Sequence, residues 1–118
     1  MKVLLYNLEN NIILKNTLTM MNIECIFVNK KDYEKPLSNL LGLNSIVTSN
    51  NNTDFDDEML IMYDFSDEQL DALLALLKIN NIKIALKAIV TETNINWNSL
   101  QIHNELIKEH LYLNKRSS

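Results

Sequence analysis

The chain has 118 residues, 47% of them hydrophobic and 22% charged, with a formal net charge of −4. That length holds one cored domain, so residues 1–118 are read as a single domain. No apolar run reaches the roughly 20 residues of a membrane-spanning helix, and an acidic balance works against the counterion-releasing phosphate contacts of nucleic-acid binding. No membrane and no nucleic-acid partner is therefore expected.

From the amino terminus, MKVLLYNLENN turns polar before an apolar leader develops, so no signal peptide is expected. VLLYNL (3–8) is apolar at consecutive positions, the mark of a strand covered on both faces. Ile13, Leu14, Thr17, Leu18 and Met21 then recur at helical spacing, with Asn10 the expected N-cap. IECIFV reads as a second strand, with Glu24 on one face and Cys25 alternating with Ile23 and Phe27 towards the core. As the only cysteine, Cys25 forms no internal disulfide and no CxxC pair, which fits a reducing cytoplasmic location. DYEKPLSNLLGL predicts a short helix with Pro36 in its first turn and Gly42 just past its end. An Asn-rich loop follows at about 44–57. Its acidic cluster (Asp54, Asp56, Asp57, Glu58) is read as a solvated face, with a weak divalent-cation site as the alternative.

The strand LIMYDF (60–65) leads into the best-signalled helix. Ser66 and Gln69 have capping-box spacing, Asp67 and Glu68 suit the positive helix start, and Asn80-Asn81 end it. Leu70, Leu73, Leu74 and Leu77 form its apolar stripe, and IKIALKAIV is the next strand. A last helix is predicted over about 96–113. Its apolar arc of Leu100, Ile102, Leu106, Ile107, Leu111 and Leu113 includes His103 and His110 and should cover the sheet face left open by the first two helices. Seven residues on a helix separate the two histidines by roughly 10 Å along the axis, too far for one zinc with ligands at about 2 Å. No metal and no cofactor is expected. Met20, Met21, Met59 and Met62 read as core filling, and Tyr6 and Tyr63 as rings buried with hydroxyls exposed.

Tyr6 and Tyr63 close similar strands, and each strand is followed by a helix and another strand. The β-α-β unit thus occurs twice, over about 1–30 and 58–92. Tandem units of this kind predict an α+β fold: a ferredoxin-like βαββαβ sandwich with strands one and three central, a short extra helix after strand two and a C-terminal helix. The alternative is an α/β three-layer parallel sheet.

One stretch carries the candidate site. In LKAIVTETNINW, strand alternation puts Lys87 and Thr91 on one face, and Thr93 and Asn94 follow at the strand-to-helix junction. A lysine, hydroxyls and a helix start could hold a carboxylate or phosphate. His110, beside Lys108 and Glu109, and Trp97 complete the candidate set. The alternative is structural: Thr93 or Asn96 caps the helix, Trp97 staples it to the core, and Lys87 guards an edge strand. Gly42 is the only glycine, so no Gly-rich dinucleotide or phosphate loop can form. A phosphoacceptor arrangement around Asp64 lacks its acidic pair, because the first strand ends in Asn7.

The runs DYEKPLSNLLGL, MLIMYDFSDEQLDALLALLK, LKAIVTETNINW and KEH resemble a small bacterial family known as domain of unknown function 3783. The resemblance spans most of the chain and rests on Pro36-Leu37, Gly42, Phe65-Ser66, Lys87-Ala88, Thr91, Thr93-Asn94, Trp97 and Glu109-His110. Glu92 stands where the family often has proline. The resemblance implies no activity, cofactor or partner. No catalytic constellation emerges, and the first functional expectation is a non-enzymatic interaction or regulatory module that self-associates or docks a protein partner. The alternative is a domain that binds a small anion, and possible catalysis there, at Lys87, Thr91, Thr93 and Asn94.

Overall fold

A computed structural model describes residues 1–43 and 54–117, with side chains described as far as residue 110. It contains four strands, β1 (Lys2–Tyr6), β2 (Glu24–Phe27), β3 (Met59–Tyr63) and β4 (Leu86–Ile89). Four helices accompany them: α1 (Ile12–Met20), α2 (Leu37–Leu40), α3 (Asp67–Ile79) and α4 (Ser99–Ser117), with a 3-10 turn at Lys30–Asp32.

The sheet order is β2-β1-β3-β4. β1 pairs parallel with β2 and β3 parallel with β4, while β1 and β3 run antiparallel. The fold is therefore mixed α+β, with strands one and three central and two and four at the edges as expected. The ferredoxin-like order is corrected at those edges: it would seat β2 beside β3 and β4 beside β1, all antiparallel. Here each β-α-β unit keeps its own two strands adjacent, and the units meet back to back. The all-parallel alternative is also excluded by the β1–β3 pair, although the layering it implies is present.

Two hydrophobic cores flank the sheet. Val3, Leu5, Leu60 and Met62 point towards α1 and α3, where they meet Leu14, Leu18, Leu73 and Leu77. Leu4, Tyr6, Met59 and Ile61 point the other way, towards Leu37 and Leu41 of the α2 segment and Ile102 of α4. Both central strands are buried on both faces, which is why they are apolar at every position. The last helix covers the face opposite α1 and α3, as its apolar arc requires; Leu111 and Leu113, also assigned to that arc, lie outside the described side chains.

The duplication extends to the backbone. Leu4 pairs with Ile61, its own counterpart 57 residues on, so a pseudo-two-fold axis passes through this pair. Asn7 and Asp64 occupy the same left-handed position after β1 and β3, at φ 60° and 62°. Asn22 and Asn81 do so after α1 and α3, at 58° and 56°. Asn and Asp tolerate this region best among residues with a side chain. Beyond Asn22, Gly42 and Asn81, the amides of Ile23, Leu43 and Ile82 each reach back to Leu18, Ser38 and Leu77 carbonyls, so three helices end on the same Schellman turn.

Some local readings shift. The capping box at Ser66 and Gln69 is present as expected. The cap of α1 is Asn11, not Asn10: the Asn11 side chain accepts from the Leu14 amide. That start places Leu14, Thr17 and Leu18 inside and leaves Ile13 exposed. Met20, expected in the core, is 80% exposed. The Tyr6 hydroxyl, expected at the surface, is buried and bonded to Ser99 Oγ at 2.7 Å.

Candidate functional site

α4 begins at Ser99 and is capped by Asn98, whose side chain accepts from the Gln101 amide while Gln101 Oε1 accepts from the Asn98 amide. Neither Thr93 nor Asn96 is the cap. Thr91 through Trp97 instead form a tight turn between β4 and the helix, so the helix start lies several residues beyond the TETN stretch.

Within that turn Thr91 and Asn94 are bonded to each other. Asn94 Oδ1 accepts from the Thr91 amide at 2.8 Å, and Thr91 Oγ1 accepts from the Asn94 amide at 3.2 Å. Asn94 Nδ2 donates to the Ile89 carbonyl at 3.0 Å, and the side chain is buried. Thr93 is exposed. Trp97 packs partly against the α4-side core, and its amide donates to the Asn94 carbonyl. The turn is laced to α2 by the Ile95 and Trp97 carbonyls, which accept from the Ser38 and Leu37 amides.

Lys87 and Thr91 line different hollows. Thr91, Glu92, Tyr63, Val90 and Ile95 surround a hollow of about 600 Å³ beyond the carboxyl ends of β3 and β4. Lys87 instead lines a groove of about 580 Å³ between α3 and β4, with Lys78, Lys83, Leu74, Leu77 and Ile84. Its Nζ donates to the Ile84 carbonyl. His110 is exposed on the outer part of α4. Of the candidate residues, the fold thus joins Thr91 and Asn94 and supplies Lys87 with two further lysines that sequence spacing did not connect to it. Lys78 ends a helix and Lys83 precedes a strand, so only the turn at Asn80-Asn81 brings them together.

His103 is engaged elsewhere. Its ring stacks on Phe55 at a centroid separation of 3.8 Å, and its Nε2 lies 3.2 Å from Asp57 Oδ1. Phe55 in turn stacks on Tyr33 and lies 5.7 Å from the Tyr6 ring. Asn7 Nδ2 donates to the Phe55 and Asp57 carbonyls and closes this segment onto the end of β1. Sequence reading placed Phe55 in a solvated loop; an aromatic residue among acids was the available signal that the loop has an anchor. The acids beside it are exposed, and Lys30 pairs with Asp54 and Asp56. Among the described residues no His, Cys, Asp and Glu group is arranged to hold a metal, and no helix is long and apolar enough to cross a membrane.

Burial holds the Tyr6 phenol well above its ordinary value, with the Ser99 bond opposing the shift and Tyr33 adding to it. Tyr33 is raised too, again chiefly by burial. A raised acid contributes stability that is fully present below the unfolded value of about 10 and is lost as pH climbs above it. Urea unfolding should therefore show no loss from these phenols up to about pH 9, then a fall of up to about 1.4 kcal/mol per pH unit from Tyr6 and a smaller one from Tyr33, whose phenol is less desolvated. Tyr6→Phe should cost about 1 kcal/mol at neutral pH and flatten that alkaline fall. An unchanged alkaline slope would show that the phenol ionises as freely in the folded state as in the unfolded one.

Compared with known proteins, residues 58–113, from the start of β3 into α4, match the family model described as Domain of unknown function (DUF3783). This is the family whose resemblance the sequence carries, over a shorter span than the resemblance itself: Pro36-Leu37 and Gly42 fall outside the matched residues. No curated protein and no solved structure matches the chain.

Proposed function

We propose, from the geometry of the matched half, that this chain is a non-enzymatic interaction module of the cytoplasm that docks an acidic segment of a partner protein on the α3–β4 groove. The observation that carries it is the meeting of Lys78, Lys83 and Lys87 around an apolar floor of Leu74, Leu77 and Ile84, in a protein whose net charge is −4. Charge that opposes the overall balance and collects beside apolar surface favours a ligand with alternating acidic and apolar groups. Binding is favoured over catalysis because the groups able to act as base or nucleophile do not meet: the two histidines stand about two turns apart on α4, and the cysteine is on another element. His103 is held by Phe55 and Asp57, His110 is on the outer part of α4, and Cys25 is on β2 at the far edge of the sheet.

Self-association is the other form of the same reading. Antiparallel pairing of two β4 edges would bring two Lys87 side chains together on one face of a four-residue strand, so a different chain is the favoured partner. The small-anion reading keeps the same lysines, since a groove of this volume also suits a small ligand.

The test is titration of the full chain with a synthetic peptide of alternating glutamate and valine, beside its lysine-for-glutamate counterpart. Only the acidic peptide should bind, with salt weakening it, and the pair Lys83→Glu and Lys87→Glu should reduce the affinity by at least about tenfold. Equal binding of both peptides, or binding that the charge reversals leave intact, would overturn the proposal. A stabilisation by carboxylate or phosphate metabolites that Lys87→Ala abolishes would move the assignment to the small-anion reading. A concentration-dependent dimer in light scattering would move it to self-association.

A further inference from the structure

We infer that the outer edge of β4 receives this acidic segment as an added strand, and that the Asn94 carboxamide occupies the last position of that edge until a strand displaces it. The inference rests on the docking reading above and adds the mode of recognition.

The Val90 amide donates to the Met62 carbonyl, so the backbone groups of Ala88 and Val90 face β3. By alternation, the N–H and C=O groups of Lys87, Ile89 and Thr91 face outward from the sheet. In a parallel ladder, a residue opposite Val90 would donate to the carbonyl of Ile89 and accept from the amide of Thr91. The Asn94 side chain makes these two bonds, through Nδ2 and Oδ1. Its carboxamide therefore stands in for the N–H and C=O of one residue of a fifth strand.

The surrogate covers only the carboxyl end of the edge. Among the described residues, the outward groups of Lys87 and the Ile89 amide have no partner, and Ile89 is 45% exposed. Edge strands left open in this way are sites of strand addition. Lys87 and Ile89 lie on the groove side, since Leu86 and Ala88 face the α4-side core. An added strand would thus set its acidic side chains near Lys83 and Lys87 while pairing its backbone with β4. The opposite edge, β2, carries Glu24 and lacks that charge match.

The experiment compares the glutamate–valine peptide, about six residues long, with the same peptide N-methylated at alternate amides so that one edge cannot pair. The unmodified peptide should slow hydrogen exchange at the Lys87 and Ile89 amides of the intact chain, and the methylated one should bind about tenfold more weakly without protecting them. Asn94→Ala should bind the unmodified peptide more tightly, because no amide has to be displaced. If the methylated peptide binds as well, strand addition is overturned while groove docking stands. If only the unmodified peptide binds but Asn94→Ala leaves its affinity unchanged or weaker, the guarding role of Asn94 is overturned. If neither peptide binds, the docking reading itself falls.

Discussion

Leu4→Ala is expected to lower the stability of this domain by about 3 kcal/mol and its melting temperature by roughly 10–20 °C. Leu4 is fully buried in one of the two central strands of the sheet, against Ile61 across the β1–β3 pair and within the core beneath α2 and α4. Truncation removes three carbons from contact and leaves a cavity that cannot collapse, because regular pairing fixes the backbone on both sides. As the pair lies on the pseudo-two-fold axis, damage there loosens both β-α-β units together. Ile79→Ala, at a side chain 76% exposed, should by contrast stay within about 0.5 kcal/mol. In a double-mutant cycle, Leu4→Ala and Ile61→Val should depart from additivity by more than about 0.5 kcal/mol, as contacting residues do. A cost for Leu4→Ala no larger than that for Ile79→Ala would refute the central placement of β1.

Asn94→Ala is expected to cost about 2 kcal/mol, read from urea midpoints. The substitution strips partners from the Thr91 amide and the Ile89 carbonyl, and each lost bond of this kind is worth about 1 kcal/mol where water can partly replace it, as it can at these two exposed residues. Thr91→Val, which removes only the acceptor for the Asn94 amide, should cost about half as much. Thr93→Ala, at an exposed position in the same turn, should be nearly neutral. Equal effects at Thr93 and Asn94 would contradict the turn. The ranking separates a structural role for the TETN stretch from a ligand-binding one, because a ligand site built on its hydroxyls would leave stability almost unchanged when they are removed.

Much of the fold was legible because its signals are local. The Ser66–Gln69 box, the asparagines closing α1 and α3 and the glycine after α2 each act within one turn, so their spacing in sequence is their spacing in space. The cap of α1 was misplaced by one residue because Asn10 and Asn11 are adjacent and equally able; the choice falls to the position whose side chain reaches the Leu14 amide. The candidate site was less legible. Alternation put Lys87 and Thr91 on one face, but the strand ends at Ile89, so the turn and not the strand decides where Thr91 lies. Phe55 was missed because its partners, Tyr6, Tyr33 and His103, come from three distant parts of the chain.

By itself the sequence determined the element types, the repetition of the β-α-β unit and the double burial of β1 and β3, since periodicity and capping are properties of short segments. Only the tertiary structure decided which edge strand lies beside which central strand. Either arrangement buries the same residues, so hydrophobic pattern does not distinguish them, and the right-handed β-α-β crossover is satisfied in both. The same holds for the lysines of the α3–β4 groove and for the Asn94 amide on the sheet edge: chain reversal brings them together, and no spacing along the chain records it.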